Sequence, residues 1–138
     1  MRSVNHMSIR DFQLADTDDM VKILKANNQY SFPPVDGPEA MKRVKECSAC
    51  VFLVCEFDGK VVGMARGNYD GSRAMIHQVS VHPEYQRRGI GESLVKEIVR
   101  RFRGMGAPTV SATVIEESLP FWEKVGFRKT SIFLVGNW

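Results

Sequence analysis

The 138-residue sequence predicts an α/β fold around a mixed sheet. Three observations predict it. Segments with helical apolar spacing interleave with short apolar strands. Asp58-Gly59 joins two of those strands as a hairpin. A glycine-bracketed turn at residues 86–91 then delivers a strand into the most amphipathic helix of the chain.

Each element follows from its residues. Residues 1–7 show no periodicity and read as a loose leader to one domain over 1–138, with Met7 a candidate alternative start. Residues 8–15 hold Ile9, Phe12 and Leu14 and read as a strand. Asp16 is placed to cap a helix, with Asp18 and Asp19 in its first turn, Met20, Ile23 and Leu24 on one face, and Asn27-Asn28 at its end. Pro33-Pro34 forbid a helix interior, so residues 30–37 read as neither helix nor strand. A helix follows over 38–46, opened by Pro38. Strands are expected at 51–57, 60–67 and 74–81. From 91 to 103, Leu94, Val95, Ile98, Val99 and Phe102 make one stripe, and Gly104 and Gly106 stop the helix. A strand over 109–114, a short helix over 119–125 and a last strand over 128–135 complete the chain.

Bulk composition narrows the function classes. The sequence is 43% hydrophobic and 25% charged, ordinary for a folded globular chain. No run approaches the ~20 apolar residues of a membrane span, so no membrane partner is expected. A net charge of +3 is modest, and Arg100, Arg101 and Arg103 suit the negative end of their helix better than a nucleic-acid surface. Cys47, Cys50 and Cys55 make an odd count with no apolar signal segment, which suits reduced thiols in a cytoplasmic protein. Cys47 and Cys50 have the spacing of half a zinc site, but no second ligand pair follows, so no metal is expected.

The turn Gln86-Arg87-Arg88-Gly89-Ile90-Gly91 carries the chemistry. Helix N-termini leave several amides unpaired and carry about half a positive charge. Glycines at 89 and 91 remove the Cβ atoms that would keep an anion from those amides, and two arginines add charge at the mouth. On its own this is a phosphate or pyrophosphate site, or simply a tight strand-to-helix turn. It lacks the Gly-Lys-Ser/Thr of a Walker loop and the third glycine of the dinucleotide fingerprint.

Val79-Ser80-Val81-His82-Pro83 followed by Gln86-Arg87-Arg88-Gly89-Ile90-Gly91 resembles the Gln/Arg-x-x-Gly-x-Gly/Ala signature of the GCN5-related N-acetyltransferase (GNAT) family. Downstream, Phe121-Trp122-Glu123-Lys124-Val125-Gly126-Phe127 resembles the second family motif. The resemblance implies the GNAT fold, a mixed, mostly antiparallel sheet of about six to seven strands flanked by about four helices. It also implies acetyl-CoA as cosubstrate and an amine acceptor, bound by a monomer or homodimer. Val79, Ser80 and Val81 then pair with the pantetheine arm, and an N–H near Val79 is the oxyanion donor. Gln86, Arg87, Arg88, Gly89, Ile90, Gly91, Glu92 and Ser93 surround the pyrophosphate. Tyr30, Phe32, Val35 and Asp36 lie on the acceptor's path.

The sequence departs from the family pattern at three places. Many relatives carry a tyrosine acid where this chain has Trp122, which donates through its indole N–H but does not titrate as an acid. Packing is the simpler reading for Trp122. Tyr85 is a possible substitute that no spacing places near sulfur. His77 stands where many relatives have a basic glutamate; strict alternation puts it on the face of Val79 and Val81, as a base or as a structural histidine. Ile115 replaces an asparagine that often contacts the cofactor. The reading is therefore an acyltransferase moving acetyl to a primary amine by direct attack in a ternary complex. Its rival is a catalytically weak acyl-CoA-binding regulatory module.

Overall fold

The computed structural model describes residues 6–136. Its elements are β1 (Met7–Asp11), α1 (Thr17–Ala26), α2 (Pro33–Asp36), α3 (Pro38–Glu46), β2 (Cys50–Phe57), β3 (Lys60–Tyr69), β4 (Ala74–Val81), α4 (Ile90–Gly104), β5 (Val110–Ala112) and α5 (Leu119–Lys124). One five-stranded sheet runs β1-β2-β3-β4-β5, with the first four strands antiparallel and β5 parallel to β4. Asp58 and Gly59, with φ of 51° and 83°, make the β2–β3 hairpin.

Each face of the sheet is sealed by helix. On one, α4 presses Leu94, Ile98 and Phe102 onto Leu53, Cys55, Ala65 and Ile76. On the other, Met20, Ile23 and Leu24 of α1 and Met41 of α3 cover Phe12, Phe52, Val54 and Met64. Burial on both faces explains why β2 and the middle of β3 read as apolar runs rather than alternating ones.

Several expectations need correction. The first strand stops at Asp11, because residues 14–16 curl into a 3-10 turn. Met7, expected in the leader, begins β1, while residues 1–5 lie outside the described residues. Asp16 precedes α1 but makes no side-chain cap. Its carboxylate, in a residue only 5% exposed, accepts from Gln13 N at 2.8 Å and from both Arg10 Nη atoms at 2.8 and 2.9 Å. Arg10 Nε in turn donates to Glu56 at 2.6 Å. Pro33 and Pro34 open the single helical turn α2, since a proline in the first turn gives up only an N–H that has no helical acceptor.

The sheet has five strands among the described residues, not six or seven. The expected strand over 128–135 is irregular, and Ile132 and Leu134 are 79% and 81% exposed. Its strand-like composition lacks a long edge to pair with, because the last strand, β5, has three residues. No helix among the described residues is long and apolar enough to cross a membrane.

Two buried or half-buried carboxyls make stability acid-sensitive. Hydrogen bonds from Arg10 hold Asp16 below the usual carboxylate range. Arg100 and Arg101 hold Glu97 down at about 2. A depressed folded pKa means stability that is complete above the unfolded values of ~3.9 and ~4.3 and is lost as pH falls from there through the folded value, about 2 for Glu97. Stability is expected to fall steadily between pH 5 and pH 2, by about 2 kcal/mol after solvent screening, with melting temperature following. Asp16→Asn should flatten that fall in calorimetry; an unchanged acid limb would exclude Asp16 as a contributor.

Candidate active site

The cleft exists because two strands part. β4 and β5 pair only at Ala74–Val110, Met75–Ser111 and Ile76–Ala112, with Thr113 N donating to Ile76 O at 3.1 Å as the last link. On its other side β4 stays paired with β3 as far as Val81. From His77 onward no described strand lies along the outer edge of β4. The gap is a cavity of about 810 Å³ lined by His77, Val79 and Val81, by Thr113, Val114 and Ile115, and by Phe121 and Trp122 of α5.

The outer edge at the far end of β4 is braced by side chains rather than by a strand. Val81 O accepts from Asn27 Nδ2 at 2.8 Å and from Gln86 Nε2 at 2.9 Å. Ser80 Oγ accepts from Asn27 Nδ2 at 2.7 Å and donates to Gln29 Oε1 at 2.6 Å. The Ser80 hydroxyl therefore serves the α1 side, and the Gln86 amide nitrogen is committed to the strand end. Neither is free to contact a ligand through those atoms.

After this brace the chain turns sharply into α4. Arg87 and Gly89 both have positive φ, 65° and 81°, within a turn whose other residues are right-handed or extended. Such alternation curls successive N–H groups into a concave nest for anions. Gly89 caps α4 without any side-chain hydrogen bond, so the first-turn amides face the cavity mouth unclaimed by a cap. Arg87, Gly89, Ile90, Gly91 and Glu92 line the cavity. Arg88 and Ser93 do not: the Arg88 guanidinium lies 5.4 and 5.3 Å from the Phe57 and Tyr85 ring centres, and Ser93 N is already bonded to Gly89 O at 3.0 Å. The Glu92 carboxylate pairs with Lys96 at 3.0 Å, which offsets negative charge at the mouth.

His77 is where strict alternation fails. Arg66 pairs with Gln78 but Gly67 pairs with Ile76, so His77 is the extra residue of a β-bulge. The bulge shifts the phase of the strand and aims His77 into the opening between β4 and β5. Its Nε2 lies 2.6 Å from Asn68 Oδ1, an acceptor, so Nε2 carries the proton and Nδ1 keeps its lone pair. His77 keeps an exposed surface, yet the neighbours packed on its covered side and the positive charge of Arg66 push its imidazole below the ordinary pKa.

A second cavity of about 620 Å³ opens on the other side of His77 and Gln78, sharing both, with Thr113 and Phe133, with the first. Val35 and Asp36 line it, together with Arg43, Arg66 and Asn68. Tyr30 and Phe32 are not brought to it. Tyr30 packs against the α1 side of the core beneath Lys25, and Phe32 is exposed. Cys47 and Cys50 also border this cavity, but the described residues contain no group of three or more His, Cys, Asp or Glu placed to hold a metal. Arg66, Gln78 and Asn68 escaped sequence reasoning, although a lone arginine inside the apolar run of β3 was a legible signal.

Trp122 is buried between Phe121 and Phe127, edge-on to both at 5.4 and 5.1 Å between ring centres, and it borders the cleft from within the core. Tyr85 lines the same cleft and stacks edge-on against Phe57. Ile115 presents an exposed apolar side chain to it.

The profile of the acetyltransferase (GNAT) family matches residues 17–127. Among solved structures, a transcriptional regulator from Bacillus halodurans C-125 aligns with a TM-score of 0.83 at 25% identity, over 96% of this chain and 100% of that one. An acetyltransferase from Trypanosoma brucei aligns with a TM-score of 0.75 at 24% identity over the same shares. The PaiA N-acetyltransferase of Thermoplasma acidophilum, solved with coenzyme A, shares the fold with a TM-score of 0.80 at 17% identity, over 89% of this chain and 90% of that one. With the parted strands, the amide nest and the family match over residues 17–127 together, the chain belongs to the acetyltransferase (GNAT) family.

Proposed function

We propose that the protein transfers an acetyl group from acetyl-CoA to a primary amine. The observation that carries the reading is the cleft itself: an unpaired strand edge from His77 to Ser80 runs directly into an arginine-flanked nest of backbone amides. A pantetheine arm pairs along the edge, and a pyrophosphate sits in the nest. The acyl thioester supplies an electrophilic carbonyl carbon: the amine nitrogen bonds to it, the C–S bond breaks, and the electron pair leaves on sulfur.

The chain's own residues then have limited work. Lysine-type amines (~10.4) are protonated at neutral pH and need a base, whereas a thiol near 8.5 departs almost unaided. His77 is that base, through Nδ1, with Asn68 fixing the tautomer. Trp122 closes the cleft by packing, and Ser80, Asn27, Gln29 and Gln86 hold the strand edge in place. The backbone N–H of Val79 is the oxyanion donor. The test is thiol release from acetyl-CoA against a panel of primary amines. His77→Gln should lower kcat by about 10²-fold and remove the acid limb of the pH–rate profile. Because the base must be unprotonated, activity in the wild type falls as pH drops through the His77 pKa, which lies below the ordinary imidazole value. An unaltered profile in the variant would exclude His77 as the base.

A second reading, an acyl-CoA-binding regulatory module, draws on the buried, non-titrating Trp122 and on the transcriptional regulator among the structural neighbours. Tight acetyl-CoA binding without turnover of any acceptor would favour it. The nucleic-acid reading loses ground, since Arg100 pairs with Glu97 and Arg101 with both Glu97 and Asp11.

A further inference from the structure

The second cavity contains a buried positive charge that no ion pair neutralises among the described residues. Arg66 lies in the middle of β3 and is only 9% exposed. Among the described residues its guanidinium makes one hydrogen bond, from Nη2 to Val35 O at 3.1 Å, and no ion pair. Asp36 is near enough to be felt, but its carboxylate accepts from Phe32 N at 3.1 Å. The Phe52 ring centre lies 5.9 Å from the guanidinium carbon, so that neighbour offers no hydrogen-bond acceptor. A guanidinium has five donors in a fixed fork, and a buried cation is costly unless an anion or several acceptors meet it.

Next to Arg66 stands the opposite deficiency. The register pairs Arg66 with Gln78, so the two side chains project from adjacent positions on one face of the sheet. Gln78 Oε1 is buried and has no hydrogen-bond partner among the described residues. Gln78 borders both cavities, as His77 does. An orphaned buried acceptor calls for an explanation. Here the explanation is lateral: Arg66 has N–H donors to spare beside it, while the guanidinium itself still lacks an anion in the cavity that it shares with His77.

We propose that the acceptor is a small α-amino acid or similar amino-carboxylate, its carboxylate held by Arg66 and its amine carried to His77, which borders both cavities. The inference rests on the acetyl-transfer reading above and deepens it. Arg43 adds positive charge to the same cavity, while Val35, Ala40 and Val44 give it an apolar lining for an aliphatic side chain. A planar carboxylate also matches the guanidinium fork in two parallel hydrogen bonds.

The experiment uses the full chain with saturating acetyl-CoA and matched acceptors: leucine against leucinamide, and methionine against methioninamide. Wild-type kcat/KM, read as thiol release, is expected to favour the free acid by about tenfold or more. Arg66→Met is expected to lower kcat/KM for the free acids by about thirtyfold, mainly through KM. It should change turnover of the amides and the KM for acetyl-CoA far less than turnover of the free acids, and Arg66→Lys should restore part of the preference. Equal wild-type activity on acid and amide overturns the inference, and that comparison needs no variant to fold. Equal losses on acid and amide in a folded Arg66→Met protein also overturn it, leaving Arg66 as a strut for Val35. Turnover of neutral amines alone refutes the amino-acid assignment while sparing the transferase reading. Acetyl-CoA binding with no acceptor turned over refutes both.

Discussion

Replacing Gly91 with leucine is expected to weaken acetyl-CoA binding by about three orders of magnitude. A Cβ at Gly91 would lie 3.2 and 3.3 Å from Cε1 and Cζ of Phe121, closer than van der Waals contact allows. The ring would have to give way, and the remaining side-chain atoms would enter the cavity that Gly91 lines. Displacing a packed ring costs about 1–3 kcal/mol. Blocking the nest also removes charge-assisted bonds to the amides at about 1.5–3 kcal/mol each. Two such bonds lost amount to ~4 kcal/mol, or about 10³-fold in affinity, while the ring's displacement weighs on folding rather than on binding. Calorimetric titration of the wild type and of Gly91→Leu measures it, with melting temperature as the control for folding. Wild-type affinity in a folded variant would remove the pyrophosphate from this turn.

That prediction was available from the sequence in outline, and its physical basis explains why. A turn into a helix is encoded locally: Gly89, Gly91 and the α4 stripe lie within a few residues of one another. The brace behind the turn is not local. Asn27 and Gln29 stop α1 and reach Val81 and Ser80 across the fold, and no periodicity in either segment announces the pairing. The same holds for Asp16, whose position before a helix suggested a cap while Arg10, brought in by β1, claimed its carboxylate. The second motif was legible as a motif, yet the part played by Trp122 depended on Phe121 and Phe127 closing around it. Residues 128–135 show the converse limit. Ile132 to Val135 have strand composition, but pairing requires an edge, and composition does not report whether an edge is there.

His77 shows how one residue of register decides chemistry. Alternation assigned it to the Val79 face, but a single extra residue in β4 placed it between two cavities instead. What permits the bulge sits on the neighbouring strand. A Cβ at Gly67 would lie 2.1 Å from Met75 O and 3.0 Å from Ile76 Cα, and both obstacles are backbone. No rotamer change relieves that clash, so Gly67→Ala must separate β3 from β4 at the Gly67–Ile76 and Asn68–Met75 pairs. The expected loss is about 3 kcal/mol or more, a fall of roughly 10 °C in melting temperature. Separation there also pulls Asn68 from His77 Nε2, so kcat should drop more steeply than affinity for acetyl-CoA, whose nest lies at the far end of β4. Melting curves and steady-state kinetics on the same preparation check both halves. A folded Gly67→Ala protein with wild-type melting and kcat would show that the bulge, and the histidine it displays, does not depend on this contact.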